Sequence, residues 1–289
     1  IVVPLVQLAS VVFSAFVVLP CIQQSQVDSG AAAHAFEAFM SSPALIVMAA
    51  VACVADLIYQ VGVDALTFAH LFKGLRRPEL PNDRARLTHA VIICAYKEPY
   101  NVLALTIKSL RAQHLVRNTI VILATEARDD SAHATFERLR HEFGSKFKCF
   151  MQTTHVLAPG EVPGKSSNER HACMELYKYA MHHGIDPYSV MVTTADADSQ
   201  FDRSFLEHVE AEFCRQIDGR HTLFDSPINT LRNVAACNPL IGIFEIQRTQ
   251  YCAFSALQFQ PCQSNYSLTL GFAHLIDYWH PDNTSEDLH

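Results

Sequence analysis

No lysine or arginine occurs in the first 72 residues of this 289-residue chain, although 22 follow. The same stretch has only Asp28, Glu37, Asp56 and Asp64 as full charges. Glycine is sparse as well. Among ten glycines no two stand two positions apart, which removes the GxGxxG dinucleotide fingerprint. The one pair four apart, Gly160 and Gly164, encloses Glu-Val-Pro and not the serine of a nucleophile elbow. Dinucleotide oxidoreductases and α/β-hydrolases are therefore disfavoured. Cysteines come no closer than ten positions, at Cys252 and Cys262, so no CxxC zinc or redox spacing exists. Their odd count of nine argues against a complete disulfide framework and fits a reducing compartment. Charged residues make up 18% against 49% hydrophobic, which speaks against disorder. The net charge of −7 argues against a broad nucleic-acid footprint, so no nucleic-acid partner is expected.

The residues that are present fall into two parts. Residues 1–20 read IVVPLVQLASVVFSAFVVLP without a charge, close to the roughly 20 residues that cross about 30 Å of hydrocarbon. A transmembrane helix is expected there, with a signal peptide as the competing reading. A second helix is expected over about 44–72, where Asp56, Gln60 and Asp64 share one face of an otherwise apolar segment. That stripe suits packing among membrane helices or lying in the interface, and a buried helix of a soluble domain is the alternative. Lys73, Arg76, Arg77, Arg84 and Arg86 come directly after it. By the positive-inside bias, the chain beyond Lys73 is expected to be cytoplasmic. The expected organisation is thus a membrane region 1–72, a basic linker 73–87 and one domain 88–289.

From His89 the pattern alternates. Ala90–Ala95 (AVIICA), Thr119–Ala124 (TIVILA), Phe147–Gln152 and Ser189–Thr194 (SVMVTT) read as strands. Helices are expected with Pro99 as a first helical position, near Ser131–Phe143 and near Ser167–His182. Strands alternating with helices imply βαβ units and a mostly parallel sheet, whose ligands bind beyond the carboxyl ends of the strands. Those ends carry Tyr96-Lys97-Glu98, then Glu126 to Asp130, then Asp196-Ala197-Asp198. Pro159 to Ser166 stops one residue short of a P-loop, and two prolines remove amides that such a cradle needs. Asp196 and Asp198, spaced i, i+2 after a strand, can both reach one hard divalent cation. For an isolated pair of this kind, helix capping or turn formation is the commoner explanation. Trp279 and Tyr278 suit either a sugar-stacking platform or the core.

Four motifs in order change the weighting: ICAYKEP at 93–99, GKSSN at 164–168, TADAD at 194–198 and TSEDLH at 284–289. With them the chain resembles family 2 glycosyltransferases of the GT-A fold over roughly Thr88 to His289. The resemblance implies an α/β, Rossmann-like, mostly parallel sheet with flanking helices, here preceded by N-terminal transmembrane helices. It implies a nucleotide-sugar donor, with a UDP-sugar expected, a glycan or lipid acceptor, and Mg2+ or Mn2+ as cofactor. Tyr96 and Glu98 would lie near the nucleoside, with Glu126 carried over more weakly. Lys165, expected on a flexible turn, would serve the donor, and Asp196 and Asp198 would bind donor and metal. Asp287 would be the general base of a single inverting displacement, with Glu286 shaping the acceptor site. Two departures stand out. Glu126-Ala-Arg replaces the family's Asp with Gly and Ser, and no Gln-x-x-Arg-Trp comes after Asp287, because the only tryptophan is Trp279. The chain ends two residues after Asp287, and a C-terminal truncation is expected. A nucleotidyltransferase on a similar fold, or a non-catalytic membrane scaffold, are the competing functions.

Overall fold

The computed structural model describes residues 87–226 and 265–280 without interruption, residues 77–80, and isolated positions within 43–69 and 238–249. The chain divides into two units, Ile1–Ala69 and His70–His289. In the first, every described position between 43 and 69 is helical. Val47, Val51, Val54, Ile58 and Val61 are all more than half exposed. The expected span 1–20 and the polar stripe of Asp56, Gln60 and Asp64 lie outside the described residues. Among those described, no helix is long and apolar enough to cross a membrane.

The second unit is an α/β layer built on β1 (Thr88–Ala95), α1 (Tyr100–Arg111), β2 (Thr119–Glu126), α2 (Ala132–Phe143), β3 (Cys149–His155) and α3 (Lys165–His182). It continues through β4 (Val190–Ala195), α4 (Phe205–Arg215), β5 (Phe224–Asp225), β6 (Tyr266–Thr269) and α5 (Leu270–Leu275). The strand order is β3-β2-β1-β4-β6-β5. The first four strands pair in parallel, and β6 pairs antiparallel with both β4 and β5.

Strand periodicity assigns the two faces. Ala90, Ile92, Ile120 and Ile122 point to one side, which they share with Leu268 of β6 and where Ala172 and Leu176 of α3 cover them. Val91, Ile93, Val121 and Leu123 point to the other, under Leu103 and Ile107 of α1 and Leu139 and Phe143 of α2. Every residue of β2 is buried, the pattern of a parallel strand covered on both faces. Burying one such Ile or Leu side chain contributes about 1.5–3 kcal/mol.

Some element bounds differ from expectation for identifiable reasons. β3 reaches His155 because Gln152, Thr153, Thr154 and His155 pair with Leu123 to Glu126 of β2, so ladder bonding carries a polar edge strand beyond its apolar part. Pro99 is extended (ψ 141°) and caps α1, which begins one residue later at Tyr100. Lys165 does not lie on a flexible turn. It is the first residue of α3, and the amide of Asn168 donates to Gly164 O at 3.3 Å to open that helix. β5 and β6 were not legible as strands, since two- and four-residue segments carry almost no periodic signal.

Candidate functional site

The carboxyl ends of β1, β2 and β4 open onto a cleft of about 750 Å³. Six of the eight residues singled out from sequence line it together: Tyr96, Glu98, Glu126, Lys165, Asp196 and Asp198. Glu286 and Asp287 lie outside the described residues.

Each side chain is held by its element. After β1 the chain turns through Lys97 at φ 59°, and the Lys97 amide donates to Asp129 Oδ2 at 2.8 Å, joining the first turn to the one after β2. Asp129 also accepts from the Ser131 amide at 3.0 Å and hydroxyl at 2.7 Å. Burial pushes this carboxyl upward, but the hydrogen bonds from Ser131 and Lys97 overcome it and hold the group below the usual carboxylate range. Glu126 is buried at the end of β2 and accepts from Arg128 Nε at 2.9 Å. The Arg128 guanidinium lies 4.9 Å from the centre of the Tyr96 ring, a cation–π arrangement that sets one wall of the cleft.

The acidic turn after β4 is pinned from below. Thr106 of α1, fully buried, donates its hydroxyl to Ala197 O at 2.6 Å. The Ser109 hydroxyl accepts from the Phe201 amide at 3.0 Å, and Ser199 N donates to Asp196 O at 3.1 Å. Ala197 packs into the core at the head of this turn, and Asp196 and Asp198 on either side of it both line the cleft. Neither caps α4, whose N-cap is Ser204. Opposite them, Lys165 Nζ stands 2.8 Å from Asp196 Oδ1. This contact joins the GKSSN and TADAD segments.

Among the described residues no group of three or more His, Cys, Asp or Glu side chains could hold a metal ion. Asp196 and Asp198 are the carboxylates of the cleft that could take a cation of the Mg2+ kind, which keeps several waters of its own. The ammonium already resting on Asp196 marks the place as one that draws positive charge.

Sequence reasoning gave no role to Arg128, Asn168 or Glu169, although Asn168 closes the GKSSN segment. Asn168 lines the cleft and donates Nδ2 to Ala124 O at 3.0 Å. Helical spacing of three from Lys165 could have found Asn168. Trp279 is core, with Nε1 donating to the Tyr266 hydroxyl, so it is no stacking platform. The residue after it, His280, has its carbonyl held by the Ser166 hydroxyl at 2.8 Å, immediately beside Lys165.

No protein-family model matches the chain. No curated protein matches it either. One solved structure that does is a mannosyltransferase from Pyrobaculum calidifontis in complex with GDP-Man and Mn2+, at 15% identity and a TM-score of 0.42. The match covers 80% of this chain and 60% of that one. This chain thus spans less than two thirds of that protein's length. In its own right, the second unit is a mixed α/β fold with a mostly parallel six-stranded sheet and flanking helices.

Proposed function

We propose that the chain is a membrane-anchored, metal-assisted inverting glycosyltransferase of the family 2 kind. It moves a sugar from a nucleotide-sugar donor, with a UDP-sugar expected, to a hydroxyl of a glycan or lipid acceptor. The observation that supports this most is the cleft itself, where Lys165 meets Asp196 at 2.8 Å beside Asp198 and Glu126. Three separate sequence motifs, otherwise unrelated, share one substrate-sized space there.

In this reading Tyr96, Glu98 and the Glu126–Arg128 pair hold the nucleoside end of the donor. Lys165 donates to the diphosphate. A Mg2+ or Mn2+ ion held by Asp196 and Asp198 would neutralise charge on the departing nucleotide. Asp287 takes the proton of the acceptor hydroxyl as its oxygen attacks the anomeric carbon, and Glu286 shapes the acceptor site. One displacement inverts the configuration. The outward apolar row of Val47, Val51, Val54, Ile58 and Val61, spaced four and three as on one helix face, supports a lipid-facing first unit. The catalytic unit comes after the onset of basic residues and is placed on the cytoplasmic side.

The test is a screen of purified full-length protein against a panel of nucleotide sugars with Mn2+ or Mg2+. Turnover is expected with one donor class, and absence of any turnover favours the scaffold reading. Asp287→Asn should abolish transfer while leaving donor affinity nearly unchanged. Loss of donor binding in that variant removes Asp287 as the base.

A further inference from the structure

Glu169 has no solvent-exposed side-chain surface, yet it stands one helical turn beyond Lys165 with Oε1 3.6 Å from Nζ. The same ammonium lies 2.8 Å from Asp196 Oδ1, whose side chain is 40% exposed. One cation is therefore shared by two carboxylates of different character, one inside the fold and one in the cleft. A buried carboxylate depends on a positive group staying close, because removing that group leaves an uncompensated charge. Asp196 is solvated and has no such dependence. It is also the residue from which a divalent cation would have to displace the ammonium, since two positive charges about 4 Å apart repel.

We infer that Lys165 is a two-position cation. Without ligands it caps Asp196; when a divalent cation takes Asp196, the ammonium withdraws along the Glu169 side and turns to the donor's diphosphate. Glu169 is the positioning residue that keeps it within the cleft in both positions. The inference rests on the proposed reading of the cleft as a nucleotide-diphosphate site. It makes metal and diphosphate mutually helpful: each draws Lys165 away from, or leaves free, the group that the other needs. Coupling of this sort is commonly about 5–150-fold.

The measurement is binding of Mn2+ alone, by titration calorimetry or by the paramagnetic signal of free Mn2+, to full-length protein without donor. Lys165→Met should tighten Mn2+ binding about tenfold, the scale of an ordinary coupling, because nothing then competes for Asp196. Glu169→Gln should weaken it, because Lys165 loses the carboxylate that draws it toward α3 and rests more on Asp196. The double variant should match Lys165→Met, since Glu169 acts through Lys165. If the Glu169→Gln effect persists in the Lys165→Met background, Glu169 acts through space and the inference falls. Should Lys165→Met, which removes the cation beside buried Glu169, fail to fold by circular dichroism, the double variant, which removes both charges, decides in its place. Either is expected to bind Mn2+ more tightly and metal-free UDP more weakly, and a change of both in the same direction overturns the inference. Wild-type protein that binds both Mn2+ and UDP, unaltered by Lys165→Met, sinks the two-position cation only. Wild-type protein that binds neither sinks the reading of the cleft along with it.

Discussion

Arg170 Nη2 lies 3.0 and 3.1 Å from the two carboxylate oxygens of Asp277, 107 positions away in sequence. Its Nη1 donates to the Trp279 carbonyl at 3.1 Å and also to the carbonyl of Asp277. One guanidinium thus holds a turn in which Asp277 and Tyr278 both sit at φ 60°, a region that non-glycine residues seldom adopt. The next residue but one, His280, is fixed to Ser166, and the proposed Glu286 and Asp287 come within seven positions of it.

Arg170 is therefore expected to matter more for transfer than for donor binding. Asp277 is 82% exposed, so the ion pair itself is worth less than about 1 kcal/mol. Arg170→Lys keeps the charge and loses the fork. It should lower kcat about tenfold, roughly 1.4 kcal/mol of transition-state stabilisation, with UDP affinity nearly unchanged. Steady-state kinetics beside a UDP titration check this, and an equal loss of both would assign Arg170 to the donor.

Thr106→Val removes one hydroxyl and preserves shape. It leaves the buried Ala197 carbonyl without the 2.6 Å donor that pins the acidic turn. A cost of about 1–3 kcal/mol is expected in urea unfolding, together with weaker Mn2+ binding. Unchanged stability would mean that the turn is held from elsewhere.

Gly271, the second residue of the short helix α5, lies against the face of Tyr188. A Cβ there would come within 2.7 Å of that ring, so Gly271→Ala should destabilise by about 1–3 kcal/mol through overpacking. Adding Tyr188→Ala should relieve the clash while opening its own cavity, and a double-mutant cycle in urea separates the two terms. Additive effects would show that Gly271 and Tyr188 do not meet.

His171 of α3 packs against His155, ring centres 5.1 Å apart. Burial first, and the neighbouring His155 second, lower its pKa below the ordinary histidine value. The folded protein therefore protonates less readily than the unfolded chain, which takes up protons first below about pH 6.5. The stability that His171 contributes is present above that pH and is lost as pH falls toward the folded value. Urea midpoints at several pH values should decline below about 6.5, and His171→Gln should flatten that part of the curve. A midpoint that rises on acidification would contradict the sign.

The parallel part of the sheet was legible because β1, β2 and β4 are runs rich in β-branched residues and buried on both faces, each leading into polar residues at its carboxyl end. The cleft was legible because strand ends carry its chemistry, and Tyr96, Glu98, Glu126, Lys165, Asp196 and Asp198 do line it together. Gly164 and two nearby prolines read as breakers and so suggest a turn at Lys165, whereas Gly164 is extended and starts the helix directly behind it. Glu169 was invisible for another reason. A glutamate on an amphipathic helix ordinarily faces water, and only the fold reveals that this one faces inward toward Lys165. Arg128 shows up in sequence only as a departure from the family pattern; its pairing with Glu126 depends on how the turn after β2 closes.

The first two turns of α3 carry two stripes side by side. Lys165 at the cleft and Glu169 buried behind it form one, while Ser166 and Arg170, one position on and so about 100° round the axis, face the 277–280 turn. The spacing of these four residues is therefore fixed by winding rather than by chemistry alone. A single residue inserted between Ser166 and Glu169 would swing Arg170 away from Asp277 and Glu169 away from Lys165 in one stroke, although every side chain involved would still be present.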